Sequence, residues 1–279
     1  MSHVTMIGNK RNTPGFNDVA LKEGLGKSKP HVALQAGAQS VHRTIRLLRA
    51  VADSNDRGMR LTQIAQKTGL PTTTVHRILA VLVAEEFLEY DLVSKCYRIG
   101  IELYAIASRA RRFALRDKYR NCLENIARAT QDSVYLVVRS GPDALCIDYI
   151  EGKSTIRIMT YDVGSRRPLG IGAGSLALLA FAPDDEVEGI LKANELRYRK
   201  NNNMTVSELK GLIKQARALG YAFNQGHFMK GINGVGVPIY DEQGDVVAAV
   251  SVGSITERIN PMRSQEIAEL IKSEIALMR

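Results

Sequence analysis

The amino-acid sequence predicts an α+β protein with an N-terminal winged helix-turn-helix, a linker helix and a C-terminal unit in which helices pack on a sheet. Two observations predict this fold class. Apolar residues recur at helical spacing in three successive segments, and two strand-like runs follow them. Beyond a long segment rich in helix formers, strand-like and helical runs alternate to the end of the chain. The predicted divisions are a flexible basic tail at 1–39, the winged unit at 40–100, the linker helix at 101–130 and the C-terminal unit at 131–279.

The composition is that of a globular protein. The 279 residues suffice for two domains, and 45% hydrophobic with 24% charged residues is close to the globular average. The apolar run at 176–182, which no other apolar run exceeds in length, is far shorter than the roughly 20 residues that cross a bilayer. Since 1–39 also lacks the apolar core of a secretory signal, we expect no membrane span and a cytoplasmic location. The three widely spaced cysteines predict reduced thiols that fill apolar space.

The winged unit begins with three helices. Ser40 is the expected N-cap of the first helix, in which apolar residues recur at helical spacing. The second helix is short and ends at Gly69, and Pro71 begins the third. The period then shifts towards that of strands, so that 87–91 and 95–100 predict a β-hairpin, the wing.

The rest of the chain predicts a linker helix and a sheet covered by helices. Residues 101–130 contain no Gly or Pro and many helix formers. The sequence DEQG at 241–244 is a hairpin turn signal, and Asn260 with Pro261 predicts the start of a closing helix. The other predicted elements are strands at 134–138, 145–150, 155–161, 235–240 and 246–252, and helices at about 173–192 and 205–219.

The net charge of +9 is concentrated near the N-terminus. Residues 131–279 contain 17 basic and 18 acidic side chains, so the whole positive excess lies in the first 130 residues. This distribution favours contact with nucleic acid or an acidic membrane through the N-terminal part. The alternative is a charge bias that serves solubility alone.

The third helix would present its N-terminal turn to the major groove of DNA. Threonine hydroxyls there would bind phosphates or contact a thymine methyl, and arginine is the commonest bidentate ligand of guanine. The candidate DNA-binding residues are Arg43, Thr72, Thr73, Thr74, His76, Arg77 and, at the tip of the wing, Lys95. The alternative is a helical hairpin that serves only packing, with a threonine cap and a solvated basic face.

Two groups of segments resemble one known family. The segments QSVHRTIRLLRAV at 39–51 and LTQIAQKTGLPTTTVHRILAVLVAEEFLE at 61–89 resemble the DNA-binding domain of the IclR family of bacterial transcriptional regulators. The segments GSRRPLGIGAGSLALLAF at 164–181 and LGYAFNQGHFMKGINGVGVPIYDEQGDVVAAVSVGS at 219–254 resemble its effector-binding domain, which is related to GAF domains. The resemblance covers about 40–275 and implies a GAF-like sensor in the C-terminal unit.

The resemblance also implies an effector pocket. Its positions match Gly172, Ala173, Asn224, Gly234, Ser251 and Gly253, and Met159 and Leu169 are candidate apolar walls. The family pattern has larger or acidic residues where this chain has Gly170, Gly172, Asn224, Gly234 and Gly253. We therefore expect an enlarged, less acidic pocket for an aromatic acid, a lactone or another carbonyl compound. The alternative is that these glycines serve close backbone packing.

The resemblance implies a regulator that needs no catalysis, metal or cofactor. It binds a palindromic double-stranded operator as a homodimer or homotetramer, with Leu103, Tyr104, Ile106 and Ala107 of the linker helix as candidate contacts. The alternative is a nucleotide-dependent enzyme with a nucleic-acid-binding module. Its one support is a loose G-x-G-x-x-A match at 172–177. His227, alone among the histidines, is placed to serve a C-terminal catalytic site, and we favour the alternative of a solvated loop histidine.

Overall fold

The computed structural model describes residues 38–54, 57–109, 111–154, 162–200, 204–227 and 229–278. Almost all of the predicted tail, and the strand predicted at 155–161, lie outside these residues. The chain divides into two compact units, Met1–Ser108 and Arg109–Arg279. Among the helices described, none combines the length and the apolar character that a bilayer crossing requires.

The first unit is a winged helix-turn-helix followed by a further helix. Its described elements are α1 (Ala38–Ala52), β1 (Met59–Arg60), α2 (Leu61–Thr68), α3 (Thr72–Ala84), β2 (Leu88–Asp91), β3 (Cys96–Ile99) and α4 (Ile101–Ser108). The strands pair antiparallel in the order β1-β3-β2. Fully buried Leu47, Ile64 and Leu79 hold the first three helices together.

Of two predicted helix boundaries in this unit, one is confirmed and the other is wrong. Gly69 is the C-cap of α2 in the left-handed conformation (φ 63°), as predicted. The Ser40 N-cap is wrong, because α1 already begins at Ala38 and the Ser40 carbonyl accepts a hydrogen bond from Thr44 Oγ1 inside the helix. A serine near the start of a helix fits the cap and the first turn equally well in the sequence.

The second unit is a six-stranded sheet with helices on both faces. Its described elements are α5 (Arg111–Thr130), β4 (Ser133–Ser140), β5 (Asp143–Ile150), β6 (Arg166–Pro168), α6 (Ala173–Ala180), α7 (Asp184–Lys200), α8 (Val206–Leu219), β7 (Ala222–Gln225), β8 (Ile232–Tyr240), β9 (Val246–Ile255) and α9 (Pro261–Ala276). The strand order is β6-β5-β4-β9-β8-β7, and each described pair is antiparallel. Asn260 caps α9 by accepting a hydrogen bond from Arg263 N–H, as the Asn260–Pro261 pair predicted.

Each face of the sheet has its own apolar core. Helices α5 and α9 pack on one face, and α6, α7 and α8 lie on the other. Successive side chains of the central strand β4 point alternately into the two cores. Leu136 and Val138 belong to the α5 side, whereas Tyr135 and Val137 belong to the α6 side. One strand thus contacts two helical layers.

Two predicted helices are divided. The segment predicted as one linker helix forms α4 in the first unit and α5 in the second. Helix α5 packs on the sheet because Tyr119, Leu123 and Ile126 share one helical face and are buried there. The helix predicted at 173–192 is interrupted before Pro183 and continues as α7, because proline disfavours helical conformation in the residue before it.

Candidate functional site

Helix α3 presents its polar N-terminal half to solvent. Its apolar stripe is buried, which leaves Thr72, Thr73, His76 and Arg77 exposed and Thr74 half-buried. Thr73 and Arg77 are four residues apart and so share one helical face, and His76 lies on the adjacent face. Arg43 lies apart from them, half-buried on α1. The side chains predicted to contact DNA on α3 are thus accessible together.

The wing ends in a turn that one carboxylate organises. Asp91 Oδ1 accepts hydrogen bonds from the backbone N–H of Val93 (2.8 Å) and Ser94 (3.3 Å). Asp91 Oδ2 accepts hydrogen bonds from Ser94 Oγ (2.8 Å) and Arg98 Nη1 (3.1 Å). The hydrogen bonds from Ser94 and Val93 lower the pKa of Asp91 to about 2. Lys95 closes the turn in the left-handed conformation (φ 57°).

A concavity of about 670 Å³ lies between α3 and the wing. His76 and Lys95, predicted separately from the sequence, both line it. The structure adds Arg60 and Thr62, at the start of α2, which the sequence analysis did not single out. With its three basic side chains, this surface has the chemistry of a site for a phosphate backbone.

A second cavity lies in the other unit, where the N-terminus of α6 meets the sheet. All six effector positions implied by the resemblance line it: Gly172, Ala173, Asn224, Gly234, Ser251 and Gly253. Strand register brings distant residues together here, because Asn224 pairs with Gly234 and Gly234 pairs with Gly253. Residues paired across antiparallel strands point to the same side of the sheet.

The polar groups of this cavity favour an acceptor or an anion. Asn224 is 3% exposed, and its side-chain amide nitrogen has no hydrogen-bond partner among the described residues. Arg167, from β6, also lines the cavity, and none of the described lining residues carries a carboxylate. An unsatisfied buried donor is costly, so Asn224 is poised to donate to a bound oxygen.

The cavity measures only about 40 Å³, so the predicted enlargement is not found. A cavity that holds benzene measures about 150 Å³, whereas one water needs about 10–15 Å³. Close packing at Gly234 explains the small volume, because a Cβ there would lie 3.1 Å from Ala173 Cβ. At Gly170, which is not among the described lining residues, a Cβ would lie 3.0 Å from Leu209 Cδ2. Neighbouring atoms occupy the space of the missing side chains. Gly253 differs, since its nearest neighbour would be Tyr135 Cε2 at 3.7 Å.

Of the two predicted apolar walls, Leu169 is not among the described residues that line this cavity. Leu169 is 1% exposed in the α6-side core, and its carbonyl accepts a hydrogen bond from Tyr198 Oη (2.7 Å). In this structure Leu169 contributes to the core, and its role as a wall of the effector pocket stays a prediction. Met159 lies outside the described residues. Of the residues missed, Tyr135, Val137 and Asn233 come from strands whose sequence gave no sign of a site.

The structure offers no framework for the enzyme alternative. The G-x-G-x-x-A match starts at Gly172 after the edge strand β6 of an antiparallel sheet, whereas a dinucleotide fingerprint joins a parallel strand to its helix. His227 accepts a hydrogen bond at Nδ1 from the backbone N–H of Gln225 (3.3 Å). Among the described residues there is no group of three or more His, Cys, Asp or Glu able to hold a metal ion.

Three solved structures share this fold. An IclR transcriptional regulator from Alicyclobacillus acidocaldarius is 26% identical, with a TM-score of 0.73 over 86% of this chain and 96% of that one. The IclR of Thermotoga maritima is 25% identical, with a TM-score of 0.65 over the same shares. An IclR homolog from Microbacterium hydrocarbonoxydans, complexed with 4-hydroxybenzoate, shares the fold at 23% identity, a TM-score of 0.74 and coverage of 86% of this chain and 98% of that one.

Curated relatives include two named regulators. The HTH-type transcriptional regulator KipR of Bacillus subtilis is 28% identical over 76% of this chain and 85% of its own length. The HTH-type transcriptional repressor AllR of Klebsiella pneumoniae is 28% identical over 88% of this chain and 90% of its own. The IclR helix-turn-helix domain matches residues 40–92, and the C-terminal domain of the bacterial transcriptional regulator IclR matches 107–276. The winged unit, the sheet unit and both domain matches agree: this chain belongs to the IclR family of bacterial transcriptional regulators.

Proposed function

We propose that this protein is a one-component regulator that binds a palindromic DNA operator through its winged unit and senses a compact organic anion in its sheet unit. The observation that carries the proposal is the buried Asn224 amide nitrogen, which has no partner in the part of the chain that the structure describes. This donor lies in a cavity that also contains Arg167 and no described carboxylate. The regulator needs no catalysis and no cofactor, and as a DNA-binding protein it would act in the cytoplasm.

The DNA-binding role of the winged unit rests on three groups of side chains. In a helix-turn-helix, the N-terminal residues of the second helix contact base edges. We assign base contacts to His76 and Arg77, and phosphate contacts to Thr72–Thr74 at the start of α3. Lys95 on the wing and Arg43 on α1 would add phosphate contacts.

A palindromic operator requires two copies of the winged unit. Helix α4 has the character of a dimer contact, because none of its residues is buried although the helix is largely apolar. Ile101 and Tyr104 are 61% and 69% exposed. A second copy of this helix is the proposed partner, since such apolar faces are retained at interfaces between proteins. A dimer satisfies this requirement, and so does a tetramer formed from two dimers.

The cavity chemistry supports a small carboxylate or carbonyl compound as the effector. The cavity of about 40 Å³ is smaller than one that holds benzene, about 150 Å³, so even a short oxo-acid would bind with some displacement of α6 or Arg167. The Asn224 amide would donate a hydrogen bond to one ligand oxygen, and the positive charge of Arg167 would attract the ligand carboxylate. An aromatic acid or a bulkier lactone would require a larger displacement of α6 or Arg167.

The effector would act through linkage. A ligand that binds one arrangement of the dimer more tightly than another shifts the population towards that arrangement. If the arrangements differ in the separation of the two α3 helices, operator affinity changes by the same factor. Whether the result is repression or activation depends on where the operator lies relative to the promoter.

The test is a thermal-shift screen of the full chain with glyoxylate, pyruvate, γ-butyrolactone and 4-hydroxybenzoate. A ligand at 100 times its Kd stabilises the native state by about 2.7 kcal/mol. We expect a short oxo-acid to raise the Tm of the wild type and to have no effect on Asn224→Leu. The matched control is Asn121→Leu, at an exposed position on α5. A compound that raises the Tm of Asn224→Leu as much as that of the wild type would place the effector site elsewhere.

A further inference from the structure

The tip of the wing carries two exposed aliphatic side chains. Leu92 is 72% exposed and Val93 is 93% exposed. Single exposed aliphatic residues are ordinary on protein surfaces. These two are adjacent, and they occupy a turn position where Gly, Asn, Asp and Ser are the usual residues.

The turn holds this aliphatic pair rigidly. Asp91 accepts hydrogen bonds from the backbone N–H groups of Val93 and Ser94 and from the Ser94 hydroxyl. Lys95 N–H donates to the Asp91 carbonyl at 2.9 Å. The tip is therefore ordered before any partner binds, which reduces the entropic cost of inserting it into a partner.

The surroundings of the tip identify nucleic acid as its partner. Arg98 contacts the Asp91 carboxylate and neutralises its charge. Lys95 adjoins the aliphatic pair and also lines the concavity between the wing and α3, together with Arg60 and His76. The aliphatic tip is thus continuous with the basic surface that we assign to DNA.

The arrangement of α3, the basic concavity and the wing directs the wing tip to the minor groove of DNA. With α3 in the major groove, the basic concavity would receive the sugar–phosphate backbone that borders it. The wing stands across the concavity from α3, so its tip falls at the adjacent minor groove. The minor groove is about 6 Å wide, and architectural proteins insert aliphatic wedges into it.

We infer that Leu92 and Val93 form a wedge that enters the minor groove flanking each half-site and reads its A·T content. This inference rests on the proposed DNA-binding face. A G·C pair places the guanine N2 amino group on the floor of the minor groove, where aliphatic carbon offers it no acceptor. A·T pairs leave that space open. The wedge would therefore favour A·T pairs beside the half-site through contacts that carry no charge.

The experiment uses the full chain and a duplex that the wild type selects from random DNA. In one variant duplex the flanking A·T pairs are replaced by G·C pairs. In a second they are replaced by inosine·C pairs, which resemble G·C in the major groove but lack the N2 amino group. Binding is measured for the wild type, for Leu92→Ser/Val93→Ser, and for the control Leu196→Ser at an exposed position on α7.

We expect wild-type affinity to fall at least fivefold on the G·C duplex and to be retained on the inosine duplex. The double variant should bind the selected duplex about tenfold more weakly, about 1.4 kcal/mol, and should no longer distinguish G·C from A·T flanks. Its dependence on salt should equal that of the wild type, because no cation is lost. Leu196→Ser should match the wild type throughout.

Any of four results would overturn the inference. If the double variant binds all three duplexes as the wild type does, the tip does not contact DNA. If the loss of affinity on the G·C duplex persists in the double variant, other residues recognise the flanking base pairs. If the loss is equally large on the inosine duplex, the N2 amino group is not what the protein recognises. If the wild type selects no duplex from random DNA, the proposed DNA-binding function is wrong as well. Failure of the inference can therefore be distinguished from failure of the proposed function.

Discussion

The substitution Gly236→Ala tests whether close packing of α6 on the sheet sets the size of the effector cavity. A Cβ at this position would lie 2.3 Å from the Ala173 carbonyl oxygen and 2.9 Å from the Gly174 backbone nitrogen. Even close C–H···O contacts keep carbon and oxygen about 3.3–3.6 Å apart, so the start of α6 must withdraw by about 1 Å. Both neighbours are backbone atoms, which cannot rotate away.

The expected cost follows from this overlap. Inserting a methylene into a well-packed core costs about 1–3 kcal/mol. With a urea m-value of about 2 kcal/mol/M, the unfolding midpoint would fall by about 0.5–1.5 M. The matched control is Gly211→Ala, an exposed position on α8 with no atom within 4 Å of the added Cβ. It should stabilise the same unit by about 0.5–1 kcal/mol, because alanine is the better helix former.

The assay is hydrogen exchange in increasing urea, resolved to peptides of 109–279, because the chain has two units that need not unfold together. The Gly236 variant should also bind effector differently, since Ala173 and Gly174 line the cavity. Unfolding of Gly236→Ala at the wild-type midpoint would refute the close-packing explanation. A shift of both variants in the same direction would refute it as well.

Three further predictions concern the winged unit, and a fourth concerns helix α4. Arg77→Ala should cost about 1–3 kcal/mol on the selected operator and relax the preference at one base pair, as measured by competition with single-base variants; equal losses on operator and random DNA would contradict a base contact. Lys95→Gly, which suits the left-handed φ of 57°, should keep the turn but lower the salt slope of binding by about one, and an unchanged slope would exclude a phosphate contact. The hydrogen bonds of the turn lower the pKa of Asp91 to about 2, so the turn should persist above about pH 4 and loosen as the pH falls towards 2. The amide NMR shifts of the turn should show this titration, and Asp91→Asn should abolish it. Tyr104→Glu should shift sedimentation from dimer towards monomer, and an unchanged dimer would remove α4 from the interface.

Local signals in the sequence predicted much of the fold. Gly69 ends α2 because a residue without a Cβ enters the left-handed region readily, and Asn260 caps α9 through its own side chain. Such signals depend only on near neighbours in the chain. The break before Pro183 was equally local and could have been predicted from the proline alone.

The candidate site was less accessible to sequence reasoning. The register that places Asn224 beside Gly234 and Gly253 depends on pairing between strands far apart in the chain, so those positions came from the family resemblance. Arg167 was missed because a charged residue on a short edge strand usually faces solvent. The absent side chains of the glycines predicted space, but helix α6 settles onto the sheet and fills it.

The alternation of strand β4 has a consequence for how the family can diversify. Tyr135 and Val137 line the cavity that we propose as the effector site, whereas Leu136 and Val138 pack on the α5 side of the sheet. Under this proposal, substitutions at Tyr135 and Val137 would change which effector is recognised, while Leu136 and Val138 would keep α5 packed on the sheet. Inserting or deleting one residue in β4 would exchange the two sets. Point substitutions at Tyr135 and Val137 thus leave the α5 side unchanged, whereas a one-residue change in the length of β4 alters both faces of the strand at once.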